Sequence, residues 1–242
     1  MLLAAADLSD VQDLRSQMGR LPSRSLEQSA AEFAALVTAR FESVVLCRVF
    51  VVLTLEELPA EERKAAEAVA GARAPLASGT RVLSLLASRG REPAWNDRTA
   101  SRGHRAIPLV DSSFVRGAPM IAKLLADLEV DLANLDEGKP IVTRRMLGGT
   151  NMTFYVPDAR TAVDGGGKPI IAARDFTEKY GVRTVFGMGG AYAGGELVVV
   201  IVFTTEELER QTVDRFPNLI GTFKINTAEL VRADNVFGVA AP

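Results

Sequence analysis

Hydrophobic positions along this chain fall into two spacings, one helical and one extended. Between residues 5 and 19, Leu8, Val11, Leu14 and Met18 share a stripe that Gly19 and Pro22 end. Ser25 and Gln28 have capping-box spacing. Leu26, Ala30, Phe33, Ala34, Val37 and Phe41 then recur at three- and four-residue steps, predicting an amphipathic helix. Residues 43–55, with VVLCRVFVVL at their heart, predict a largely buried strand. Pro59 and EERKAAEAVA predict a charged helix to about residue 70, and residues 80–87 a second strand.

Residues 88–110, SRGREPAWNDRTASRGHRAIPLV, read as a loop with a strand at its end. Residues 113–132 read as largely helical through Met120, Ile121, Leu124, Leu125 and Leu128, with Pro119 tolerable only in a first turn. A turn at 136–140 and an ambiguous stretch at 141–150 precede a strand, NMTFYV, ending at Pro157. The segment DARTAVDGGGKP predicts a loop, and residues 170–180 a short helix stopped by Gly181.

The rest of the chain is organised around residues 181–208. Two apolar runs, 182–186 and 197–203, flank a glycine-rich connection, and Thr204 with Glu207 has capping-box spacing. This predicts two adjacent strands in mid-sheet, the second handing directly to a helix over 206–215. Pro217 either kinks that helix or starts another, and Val213, Phe216, Ile220 and Phe223 continue its stripe. The tail at 233–242 is aperiodic and expected to fray. The expected division is an N-terminal helical extension at 1–24, one α/β domain at 25–232, and the tail.

Composition narrows the function classes. With 48% hydrophobic and 24% charged residues, the chain has the balance of an ordinary globular protein. A formal charge of -2 gives no general attraction to nucleic acid or to an anionic membrane. A single cysteine, Cys47, excludes an internal disulfide framework and a Cys-rich zinc site. The opening MLLAAADLSD lacks a basic n-region, and no apolar run is long enough to span a bilayer, so a cytoplasmic protein is expected.

The densest candidate chemistry is the cluster Trp95, Asn96, Asp97, Arg98, Arg102, His104 and Arg105, which holds the only Trp and the only His. Its guanidiniums could grip a carboxylate or phosphate while the indole offers a stacking face. The same residues could instead pin a long loop, with Asp97 pairing Arg98 or Arg102. Gly187-Met188-Gly189-Gly190 is followed by a strand signal rather than a helix, which argues against a dinucleotide loop. Gly165-Gly166-Gly167-Lys168 lacks P-loop spacing. His104 has no nucleophile elbow or carboxylate set to serve, and Cys47 lies inside an apolar strand. No catalytic residue, metal site or cofactor is assigned.

The second half resembles a GAF domain, the small-ligand sensor fold of signalling proteins. Asp158-Ala159-Arg160, Gly181-Val182-Arg183-Thr184-Val185, GELVVVIVF at 195–203 and TTEEL at 204–208 are similar to its successive blocks, in order. EPAWNDRTASRGHRAIPL also resembles a segment of uncharacterised bacterial sensor proteins. The resemblance implies a GAF/PAS-like α/β (α+β) fold: a central antiparallel sheet with helices on one face and a ligand cavity on the other. It implies a non-enzymatic sensor, expected to be a homodimer, binding a small ligand or a signalling protein.

The pocket is expected between the sheet and residues 88–110 and 141–168, nearest to Phe154, Asp158, Arg160, Phe186, Met188 and Tyr192. Two specialised chemistries of the family are disfavoured. Bilin attachment needs a Cys-His pair, and methionine sulfoxide reduction needs several cysteines. An adaptor using the core for dimerisation is the alternative.

Overall fold

The computed structural model describes residues 1–19, 24–71, 74–101, 103–137 and 152–238. Helix α1 (Leu8–Met18) begins on a capping box in which the Asp7 carboxylate accepts from the N–H groups of Ser9 and Asp10. Helix α2 (Leu26–Arg40) is capped by Ser25, whose hydroxyl accepts from Gln28 N–H at 3.1 Å. Strand β1 (Val44–Thr54) leads through a short 3-10 turn to α3 (Ala60–Ala70) and then β2 (Arg81–Gly90).

Two further 3-10 turns (Pro93–Asn96 and Arg98–Ala100) precede β3 (Ala106–Leu109). The helical stretch expected at 113–132 is broken into α4 (Ser112–Arg116) and α5 (Pro119–Asp127), followed by α6 (Ala133–Asp136). The break falls at Gly117-Ala118 because Pro119 occupies the first turn of α5, where its missing N–H is harmless. The ambiguous segment 141–150 lies outside the described residues.

After β4 (Met152–Val156), the expected helix at 170–180 shortens to α7 (Arg174–Lys179), and Gly181 takes φ 66° just beyond it. Strands β5 (Thr184–Ala191) and β6 (Leu197–Thr204) form the expected hairpin. The turn is confined to residues 192–196, where Gly195 sits at φ 99° and Tyr192 N–H bonds to Glu196 O. The glycines of β5 therefore lie within the strand. A Cβ on Gly187 would stand 2.5 Å from the Val200 carbonyl oxygen, and one on Gly189 would stand 2.8 Å from Leu128.

The sheet is antiparallel in order β3-β2-β1-β6-β5-β4. Strands β1 and β6 are its centre, and every residue of LVVVIVFT in β6 is buried, which is why that run shows no polar alternation. The strand does not pass straight into a helix. Residues 205–209 intervene before α8 (Arg210–Val213), and α9 (Pro217–Arg232) starts afresh at Pro217.

The capping-box residues have other partners: the Thr204 hydroxyl accepts from Glu206 N–H, and Glu207 pairs with Arg183. Glu206 accepts from the N–H groups of Leu3 and Ala4.

Two apolar layers sandwich the sheet. On one face α1, α2 and α9 pack over Cys47, Val49, Val51, Phe186, Met188, Val198, Val200 and Val202. On the other, α4, α5 and the 157–182 segment pack over Leu46, Phe50, Leu83, Leu85, Phe154, Val199, Ile201 and Phe203. The tail does not fray over residues 235–238. Asn235 and Val236 carbonyls accept from the N–H groups of Leu26 and Glu27, and Val236 is buried. These bonds satisfy donors that the start of α2 cannot satisfy internally.

Candidate functional site

The face away from the terminal helices carries an anomaly. Arg48 sits in the central strand β1 between Leu46 and Phe50, both of which belong to that face's apolar layer. Strand alternation turns it the same way as those two residues and opposite to Cys47 and Val49. Its cross-strand neighbours are Ser88 on β2 and Ile201 on β6. The row continues through Gly187 on β5 to Phe154 on β4.

Arg48 Nε and Ser88 Oγ are both buried, and neither has a hydrogen-bond partner. Burial lowers the Arg48 pKa, so desolvation is working against its charge. Every aspartate and glutamate of the chain lies among the described residues, and none pairs with it.

The rows on either side are covered. Leu128 lies over Gly189, one row along, while Phe176 meets Phe203 edge-on at 5.4 Å in the row on the other side. Trp95 extends that second cover, packing at 4.7 Å on Tyr180 and 5.5 Å on Phe176. Gly90 makes room for its indole, since a Cβ there would meet Trp95 at 2.8 Å. Arg48 and Ser88 thus form a polar pair in an otherwise apolar row between two apolar covers.

Loop 91–105 divides the predicted cluster. Trp95 faces the apolar layer just described, whereas Arg98 and Arg105 reach toward the helices. Arg98 binds Glu27 on α2 and, at 2.6 Å, Glu62 on α3, and Arg105 binds the same Glu62 at 2.8 Å. Burial raises the Glu62 pKa, but the bonds from Arg98 and Arg105 outweigh it and hold the carboxyl below its ordinary value.

Asp97 does not pair with Arg98: its carboxylate accepts from Thr99 N–H and Oγ1 at 2.8 and 2.6 Å. Asn96 Oδ1 accepts from Gly90 N–H. His104 is exposed in a turn, and Arg102 lies outside the described residues. Arg98 and Arg105 therefore pin the loop, and Trp95 faces the candidate site.

Of the residues expected nearest a pocket, Phe154 belongs to the Arg48 row. Phe186, Met188 and Tyr192 point through the sheet to the helical layer. Tyr192 is buried there, its hydroxyl 2.7 Å from Thr227 Oγ1, and burial raises its pKa. Asp158 caps its own turn, accepting from Arg160 N–H and Thr161 Oγ1, and the buried Nε of Arg160 has no partner.

A cavity of about 250 Å³ lies on the helical side, lined by Met18, Phe33, Phe223 and Thr227 among others. Cys47 is fully buried, and burial pushes its thiol up to about 12. Among the described residues no group of acidic, His or Cys side chains could hold a metal, and no helix is long and apolar enough to cross a membrane.

No family model matches the chain, and no curated protein matches it. Solved structures similar to it include free methionine-R-sulfoxide reductase from Neisseria meningitidis, at 10% identity over 95% of each chain and a TM-score of 0.49. The phycoerythrobilin-bound GAF domain of a cyanobacterial phytochrome is 11% identical over 95% of this chain and 98% of its own, with a TM-score of 0.46. The GAF domain of Acinetobacter phosphoenolpyruvate-protein phosphotransferase is 11% identical over 95% and 97%, also at 0.46. At such identities and scores, these likenesses say nothing about what this chain binds.

Proposed function

We propose that this chain is a sensory module that binds a small molecule on the Arg48 face of its sheet and passes occupancy to its terminal helices. The observation that carries the reading is the unpaired, buried Arg48 Nε beside the equally unpaired Ser88 hydroxyl in the middle of an apolar layer. Arg40 Nε and Arg183 Nε are also buried without a partner, but those two side chains each bind a carboxylate, whereas Arg48 sits mid-sheet with none. Loop 91–105 supplies the route outward. Trp95 borders the candidate site, Arg98 grips Glu27, and Glu27 accepts from Gly238 N–H just past the end of α9. A ligand that favoured one position of Trp95 would shift the balance of arrangements at that end.

The reading is one of binding rather than catalysis. The single thiol is buried and held protonated, and the single histidine is exposed in a turn. A lone reduced cysteine also suits action in the cytoplasm. A second reading, an adaptor that self-associates, is favoured by Leu8 on α1 and Ile225 on α9, which are 71% and 78% exposed. In that case dimers would form through the terminal helices.

Native mass spectrometry of the purified full chain separates the two. The sensory reading expects an added small-molecule mass on the folded protein. A bare dimer with no retained molecule favours the adaptor.

A further inference from the structure

The geometry points to the chemical class of the ligand: a small organic acid whose carboxylate bridges the Arg48 guanidinium and the Ser88 hydroxyl. The inference rests on the sensory reading above and names what that site takes. In β1 the sequence is apolar at every neighbouring position that faces this layer, yet position 48 holds an arginine. The chain supplies no counter-charge for it, since all its acidic side chains are described and none pairs there. Arg48 is part-buried, and a buried Nε without a partner costs stability that an apolar residue would not. No described side chain partners Arg48 Nε, and the ligand takes that place.

Two features select a carboxylate. A guanidinium presents a planar fork of N–H donors that matches the two oxygens of a carboxylate, and a serine hydroxyl can donate one bond more. One positive charge is neutralised by one negative charge, whereas a phosphate dianion would leave an excess charge in an apolar layer. The remaining lining of the row is Ile201, Gly187 and Phe154, with Phe50 and Leu46 beside it. This surface suits the hydrocarbon or aromatic body of such an acid.

The test uses the full chain with ¹⁵N-labelled arginine. Acetate, butyrate and benzoate are titrated at constant ionic strength, with inorganic phosphate and chloride as comparators, and the Arg48 Nε–H resonance is followed. It is assigned by its absence in Arg48→Met. The expected result is a saturable shift with at least one carboxylate at a Kd of about 1 mM or tighter. Binding should weaken at least about tenfold in Arg48→Met and measurably in Ser88→Ala. Arg48→Lys keeps the charge without the fork, so it reads the same loss should the methionine variant fail to fold.

No saturable carboxylate shift, phosphate binding more tightly than every carboxylate, or undiminished binding by the Arg48 variants would each overturn the inference. A neutral molecule retained by the purified protein, with no carboxylate bound, would overturn it and leave the sensory reading standing. Nothing retained and nothing bound would sink both.

Discussion

Trp95 and Arg98 sit in successive 3-10 turns with only Asn96 and Asp97 between them, yet they serve opposite layers of the molecule. The indole packs on Phe176 and Tyr180 beside the Arg48 row, while the Arg98 guanidinium pairs with Glu27 and Glu62 and lies 5.3 Å from the Phe237 ring. The link between them is two residues long, and the Asp97 carboxylate in it accepts from Thr99 N–H and Oγ1.

Glu62 is the anchor of that turn, its side chain 3% exposed and shared by two guanidiniums. Glu62→Ala strands both cations and should lower unfolding free energy by about 3 kcal/mol in urea titrations. A loss below about 1 kcal/mol would mean the pairs behave as surface bridges.

The same carboxylate gives an acid limb to stability. Its native pKa lies below the ordinary value of 4.5, so its contribution is complete above that pH and is lost as the pH falls toward the native value. Stability measured from pH 6 downward should fall less steeply through this window in Glu62→Gln than in the parent chain. Identical slopes would contradict the assignment.

Truncation after residue 234 removes the carbonyls that receive the Leu26 and Glu27 amides, along with the buried Val236. The shortened chain should lose about 2 kcal/mol, and those two amides should exchange with solvent much faster. Unchanged exchange would show that the tail does not cap α2.

Gly187 has no room for a side chain because the Val200 carbonyl stands in the way. Gly187→Ala should cost about 2 kcal/mol or prevent folding, read as a drop in thermal midpoint. A neutral effect would show that β5 and β6 pack less closely than described.

Much of this architecture was legible in the sequence. The capped, periodic α2, the apolar β1 and β6 and the hairpin of β5 with β6 carry local signals strong enough to stand alone. What could not be read depends on partners far away in the chain. Thr204 and Glu207 have helix-cap spacing, but the neighbouring Glu206 is drawn to the amides of Leu3 and Ala4, and Glu207 to Arg183. The tail looks aperiodic because what orders it is the backbone of residues 26 and 27.

The site was legible only as an interruption. Arg48 breaks an apolar run, and a charge inside a central strand is the signal that could have flagged it ahead of the arginine-rich loop. Phe154 and Phe186 illustrate the other limit. Each lies in a clear strand, but which face each takes depends on the register that pairs Phe154 with Gly187 and Tyr155 with Phe186.

Whether Arg48 is kept for a ligand or for the fold is decided by one comparison. Native mass spectra and thermal midpoints of the full chain are recorded for the parent and for Arg48→Met, both purified without denaturant. A retained small-molecule mass is expected in the parent and not in the variant, with the ligand-stripped variant at least as stable as the stripped parent. Equal retained masses, or an Arg48→Met chain markedly less stable than the stripped parent, would contradict that expectation.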